Sequence, residues 1–171
     1  MFAIVQNNEI VKTGSIKSLF PNVSFPAGGA SAQFKADHGV VEVVSGEQKD
    51  QRFYWVTPAN PHLQLVDGVP TRVYTNTPKA LEDVTETPEG QEEEVTTIGL
   101  KTQWIAQTKE NANKALAATD WYVIRKAERD VAIPAEVVAK RQAIIDACTA
   151  KEAAISGATT IEELMTAVQG A

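Results

Sequence analysis

The spacing of apolar residues changes period once along this chain, across an acidic, proline-containing stretch at residues 76–94. Before it lie short runs rich in Val, Ile and aromatic residues, separated by turn-forming pairs. After it, apolar residues recur at helical spacing. A period of two and a period of 3.6 bury different faces, so the two halves build different architectures. The stretch contains Pro78, Pro88 and Gly90. Its seven acidic residues, Glu82, Asp83, Glu86, Glu89, Glu92, Glu93 and Glu94, face one base, Lys79. Clustered like charge with little apolar surface offers too little burial to offset ordering. The stretch therefore reads as a solvated connector, with an acidic docking strip for a basic partner as the alternative. The fold class that follows is α+β with segregated parts: a small antiparallel β-rich head at residues 1–80, an acidic linker at 81–94, and a helical region of three to four helices at 95–171.

In the first half, residues 2–6 and 9–13 flank Asn7-Asn8. Asparagine tolerates positive φ, so the pair predicts a two-residue hairpin. Residues 16–20 read as a strand or a turn ending at Pro21, and residues 25–29 as a loop. Ser31 is placed to cap a short helix through Asp37 that carries Phe34 inward, with Gly39 ending it. Residues 40–44 read as a strand and 45–51 as a turn. The strand at 52–57 holds the densest aromatic cluster, after which Pro58 and Pro61 punctuate the chain. Residues 62–66 and 69–75 flank Asp67-Gly68, the strongest hairpin signal present. Pro70, lacking an N–H, predicts an edge position for its strand.

In the second half, Ile98, Ile105 and Ala112 recur at seven with Leu116 following, which predicts a helix over 96–118 whose dipole Glu92, Glu93 and Glu94 would complement. Residues 121–129 read as a helix with Ile124 and Ala127 inward, or as a strand over 121–125; the helix is preferred. Pro134 suits the first position of the next helix. Its stripe runs Val137, Val138, Arg141, Ile144, Ile145, Cys148, Glu152 and Ile155, and Gly157 stops it. Thr160 and Glu163 form a capping box for a last helix burying Ile161, Leu164, Met165 and Val168.

A formal net charge of −6 argues against a nucleic-acid binder, which needs concentrated positive surface, and against an electrostatic membrane anchor. No apolar run reaches the roughly 20 residues that span a bilayer. The start, MFAIVQNNE, has no basic segment ahead of its short apolar run, so a signal peptide is not expected. Cys148 is the single cysteine, which excludes an internal disulfide and a cysteine-only metal site. On the apolar face of its helix it behaves as a small hydrophobe; an exposed one could instead form an intermolecular disulfide. His38 and His62 lie beside turns without metal-binding spacing. Gly28-Gly29 lacks the Gly-Lys-Ser/Thr of a phosphate cradle, and Ser31 lacks a histidine partner. The glutamates at 92–94 lack the alternation of a calcium loop. No catalytic residue, cofactor or metal is assigned, and a non-enzymatic protein is expected.

The residues assigned to partner binding are Phe53, Tyr54, Trp55, Trp104 and Trp121, because aromatic residues concentrate binding energy at interfaces. In an alternating strand Phe53 and Trp55 would share one face, filling a small β core or forming a partly exposed platform. The long C-terminal helix needs a neighbour for its stripe, so self-association through these helices is a further expectation.

Leu116-Ala117-Ala118-Thr119-Asp120-Trp121, a helical segment ending in L-x-x-TDW, resembles the C-terminal part of tail-fibre assembly proteins of tailed bacteriophages. The continuation over 134–164 is similar to segments of phage virion and fibre-associated proteins, and residues 19–26, LFPNVSFP, resemble the start of small tail-associated proteins. The resemblance implies a small chaperone that binds a tail-fibre protein and assists its folding or trimerisation in the host cytoplasm, without catalytic residues. The patterned helices beyond Trp121 extend past that family's pattern and leave a structural component of the tail, baseplate or fibre, retained on the virion, as the alternative. A small receptor- or glycan-binding module at Phe53-Tyr54-Trp55 is the third class.

Overall fold

Asn7 and Asn8 both adopt left-handed backbone, with φ of 49° and 61°, and so close the hairpin between β1 (Phe2–Gln6) and β2 (Glu9–Gly14). In this computed structural model, which describes residues 1–87, 89 and 93–170, the chain divides into two units, Met1–Thr77 and Pro78–Ala171. Pro88, Gly90 and Glu92 of the expected linker lie outside the described residues.

In the first unit, β1 is the centre of a three-stranded antiparallel sheet, between β2 and β3 (Val40–Glu42). Ala3, paired with Thr13 on one side and Val41 on the other, is completely buried. Residues 16–20 depart from the expected strand or turn. Ile16–Leu19 form a helical turn, α1, because the Ser15 hydroxyl accepts the Ser18 N–H at 3.1 Å and caps it. Helix α2 (Ala32–Asp37) is capped by Ser31 as the sequence predicts, and Gly39 follows it with φ 61°. A Cβ at Gly39 would fall 2.5 Å from the Val5 carbonyl oxygen, so the close approach of α2 to β1 requires glycine. Phe34 meets Phe20 and Phe25 edge-on at 5.0 and 5.1 Å, and His38 stacks on it at 4.1 Å.

The second sheet is mixed rather than purely antiparallel, with order β4-β6-β5. The expected strand at 40–44 breaks at Val43, whose N–H donates to the Met1 carbonyl at 2.9 Å. Val44–Ser45, β4, then pairs parallel to β6 (Val69–Pro78). Asp67 and Gly68 form the predicted turn, with φ of 51° and 77°. Strand β5 runs unbroken from Tyr54 to Val66, through both Pro58 and Pro61. It is an edge strand, where missing N–H groups cost no ladder bond. Pro70 is the opposite case: its strand is central, not an edge. It is tolerated because β4 pairs only with Thr71 and Arg72, and Pro70 is fully buried beside that short ladder.

The second unit begins with a correction to the linker. Val84–Glu86 (β7) pair antiparallel with Val95–Thr97 (β8), Val84 opposite Thr97 and Glu86 opposite Val95. The preceding segment docks on the start of α3 (Leu100–Ala117): Leu100 N–H donates to Ala80 O at 2.9 Å, Lys101 N–H to Leu81 O at 3.0 Å, and Gly99 N–H to Asp83 Oδ1 at 2.7 Å. These acceptors fix the helix start at Leu100 instead of Thr96. Ile98 is therefore 54% exposed, and no acidic residue stands in the first turn to meet the dipole.

Helix α4 (Asp120–Arg129), α5 (Ala135–Gly157) and α6 (Ile161–Gln169) complete the unit. Four helices of the expected kind are present among the described residues. Thr160 and Glu163 make the predicted capping box, and Lys151 Nζ donates to Val168 O at 2.8 Å near the end of α6. Ile155, Ala158, Ile161 and Leu164 form the buried centre where α5 turns into α6. Two inward assignments fail. Ile124 is 56% exposed and Ala127 is exposed, while Tyr122 and Arg125 are the half-buried positions of α4. On α5, Val137, Arg141, Ile144 and Cys148 are half-buried, but Val138 and Ile145 face solvent. Its neighbours α3 and α6 cover a narrower stripe than the sequence pattern offers.

Burial separates the isoleucines of α5. Ile155→Ala should cost about 2–5 kcal/mol in chemical denaturation, by loss of buried methyl groups and the cavity left behind. Ile145→Ala, 45% exposed, should stay within about 0.5 kcal/mol. Equal losses at the two positions would show that Ile145 is covered in solution.

Candidate interaction surface

The turn at residues 50–53 sets the phase of the aromatic cluster. Phe53 N–H and Tyr54 N–H both donate to the Asp50 carbonyl, at 2.9 and 3.0 Å, and the strand begins only at Tyr54. Phe53 and Tyr54 are therefore both buried, and Trp55 is 62% exposed. The expected pairing of Phe53 with Trp55 on one face does not occur. Lys49 Nζ lies 4.6 Å over the Tyr54 ring, and Asp50 forks the Arg52 guanidinium, which covers Phe53 at 5.5 Å. Of the three cluster residues only Trp55 offers an accessible ring.

In the second unit, Trp104 is half-buried on α3, and its carbonyl accepts the hydroxyl of buried Thr108 at 2.8 Å. Trp121 opens α4 and is 48% exposed. Its ring lies 3.7 Å from that of Tyr122, and the Arg125 guanidinium sits 4.8 Å over Trp121 and 5.3 Å over Tyr122. Cation–π contact of this kind fixes both ring and guanidinium. Val123 and Ile124 are exposed beside Trp121. An amphipathic helix of ten residues thus turns its apolar side chains outward.

Thr119 and Asp120, next to Trp121, are engaged within the fold. Arg141 Nη1 reaches across from α5 and donates to Leu116 O at 3.0 Å, Thr119 Oγ1 at 2.7 Å and Asp120 Oδ1 at 2.8 Å. The Thr119 hydroxyl donates in turn to Leu116 O at 2.9 Å. One half-buried arginine therefore joins the end of α3, the corner and the start of α4. This clamp has a sequence signal, since Arg141, like Glu152, is a charged residue within a mainly apolar stripe and must find partners there.

Cys148 is half-buried between α3 and α5, beside cavities of about 310 and 290 Å³. Its Sγ–H donates to Glu152 Oε1 at 3.1 Å, and Lys109 pairs with Glu152 at 3.2 Å. The hydrogen bond to Glu152, then desolvation and the neighbouring negative charge, push the thiol above its ordinary value. The same hydrogen bond, helped by Lys109, holds the Glu152 carboxyl below the usual carboxylate range. This environment favours the neutral thiol, the opposite of an activated nucleophile. His38 is held by Phe34, with Nδ1 2.9 Å from its carbonyl oxygen. Among the described residues no three His, Cys, Asp or Glu side chains are grouped to hold a metal ion, and no helix is long and apolar enough to cross a membrane.

Compared with protein-family models, with curated proteins and with solved structures, the chain matches none.

The corner and the thiol make separate predictions. Arg141→Met should cost about 1–3 kcal/mol, because it removes the charged hydrogen bonds that join Leu116 O, Thr119 Oγ1 and Asp120 Oδ1 across the corner. Asp120→Ala, whose side chain is 53% exposed, should cost less than about 1 kcal/mol. Denaturant titration of both variants checks the order, and equal losses would assign the corner to the ion pair alone. Replacing Glu152 by Gln removes the charge that favours the protonated thiol, so alkylation of Cys148 should accelerate and its pH midpoint should fall. Because the folded Glu152 carboxyl lies below its ordinary value, its contribution to stability is present above that value and is lost as pH falls through the depressed one. The Glu152→Gln variant should lack that acid-side loss.

Proposed function

We propose that this chain is a non-enzymatic tail protein of a tailed bacteriophage and acts as a tail-fibre assembly chaperone. The observation that carries the proposal is the outward apolar side of α4, where Trp121, Val123 and Ile124 are exposed directly after the corner that bears Thr119-Asp120-Trp121. That tripeptide is the core of the resemblance to fibre assembly proteins. A β-rich fibre chain exposes apolar surface and unpaired strand edges before its trimer closes. An apolar helix face held on a fixed corner is suited to covering such surface. The protein would work in the host cytoplasm during assembly, with a tail-fibre or other tail protein as partner and without a cofactor.

A permanent place in the tail, baseplate or fibre is the second assignment. It is favoured by α5, where Val138 and Ile145, seven residues apart, both face solvent, as a self-association or adaptor interface would leave them in a single copy. Glycan binding at Phe53-Tyr54-Trp55 retains only Trp55 as an exposed ring.

Co-expression with a tail-fibre protein of the same phage should turn insoluble fibre into soluble trimer, and mass spectrometry of purified virions should find this chain absent or far below fibre stoichiometry. The double variant Trp121→Ala, Ile124→Ala should fold as before and lose the solubilising effect. Fixed, full stoichiometry in virions, with fibre that folds unaided, would instead assign a structural component. An unchanged effect in the double variant would remove α4 from the interface.

A further inference from the structure

Met1 and strands β5 and β6 of the first unit line an open cleft of about 270 Å³, formed by Met1, Pro58, His62, Arg72, Val73 and Tyr74, of which Val73 and Tyr74 are half-buried and the others exposed. Its polar groups are all donors or can act as donors: a guanidinium, an imidazole and a phenol. Arg72, Val73 and Tyr74 are consecutive in β6 and all three border the cleft. The only protein partner of the Arg72 guanidinium among the described residues is Met1 Sδ, 3.4 Å from Nη2, and a thioether is a weak acceptor. The other arginines with recorded partners are engaged differently. Arg52 is forked by Asp50, Arg125 lies over two rings, and Arg141 holds three acceptors. No carboxylate of the described residues lies within 4.0 Å of Arg72. In a chain of net charge −6, Arg72 is an exposed positive group at the mouth of this cleft with no carboxylate of the described residues beside it.

The backbone beneath it is fixed. Arg72 is paired with Ser45, and its carbonyl accepts the Gly46 N–H at 2.8 Å. The Asn76 amide farther along β6 accepts the Lys49 N–H at 3.0 Å and donates to Glu47 O at 3.2 Å. A site built on a held strand keeps its donors in place, which lowers the ordering cost of binding.

We propose that this cleft binds a carboxylate carried on a compact body of about one ring in size. The guanidinium fork matches the two carboxylate oxygens, and the Tyr74 hydroxyl and the His62 ring supply further donors. Pro58 and Val73 provide apolar wall for the body that carries the acid. The volume lies just under the usual range for small-molecule pockets, about 300–1,000 Å³, and suits the acidic head of a single sugar acid or a single acidic side chain. The site is independent of the tail-fibre proposal, because it lies wholly in the first unit and uses no residue of α4.

The test is a titration of the full-length protein with glucuronate, glucose and N-acetylglutamate, followed by two-dimensional NMR. Saturable shifts at Arg72, His62 and Tyr74 with at least one of the two acids, and none with glucose, are expected. Binding of glucuronate alone identifies a sugar acid as the source, and of N-acetylglutamate alone an acidic peptide side chain; either supports the site. Arg72→Gln should weaken the acid about tenfold or more, and Tyr74→Phe, which keeps the ring, should weaken it by a smaller factor. Absence of saturation with both acids, equal response to glucose, or unchanged affinity in a folded Arg72→Gln protein would overturn the proposal.

Discussion

The first N–H groups of a helix have no partners within it, and the second unit is organised around the way α3 meets that need. Ala80 O, Leu81 O and the Asp83 carboxylate take the N–H groups of Leu100, Lys101 and Gly99. The approach is so close that a Cβ at Gly99 would fall 2.3 Å from the Glu82 carbonyl. Only glycine can stand there. Residues 80–83 are thereby tied to the base of α3, and the chain between them returns through β7 and β8. Residues 80–83, at the start of a segment too acidic to fold by burial, are held by hydrogen bonds to a helix end.

Once α3 is fixed at its start, α5 lies along it, and the centre of the unit contains few large side chains. Leu100 and Thr108 are the buried residues of α3, Ile155 that of α5, Ile161 and Leu164 those of α6, and α4 has none. Alanine-rich helices bury too little apolar area for packing alone to define the corner between α3 and α4. Directional bonds define it instead. Arg141 binds the Leu116 carbonyl, the Thr119 hydroxyl and the Asp120 carboxylate together, so Thr119 and Asp120 have a structural use at this corner.

What could be read from the sequence was what depends on local chemistry. Asn7-Asn8 and Asp67-Gly68 gave their turns, Ser31 its cap and Thr160 with Glu163 their box, since each needs only the residues beside it. What could not be read depended on distant chain. Pro58 and Pro61 stay inside one strand because that strand lies at an edge. Helix α3 begins late because residues 80–83 cap it. Phe53, Tyr54 and Trp55 fall out of alternation because the turn from Asp50 precedes the strand. Trp121 and Trp55 proved accessible, whereas Phe53 and Tyr54 went to the core and Trp104 is half covered. The cleft at Arg72 had no local signal, because it is assembled from Met1 and two strands.

The exposure of Trp121 and Ile124 follows from this construction. The half-buried positions of α4 are taken by Tyr122 and Arg125, and Arg125 Nε is buried without an acceptor. Such a group carries a desolvation cost, which stacking of the guanidinium over two rings offsets. With a polar side chain turned in, the apolar ones face out, and rotation of α4 to bury them is opposed by the Arg141 clamp at its first residue. The apolar face is thus held in the solvent by specific contacts. A surface that is ordered before binding loses little entropy on binding, which is the property the proposed capture of a folding fibre chain would draw on.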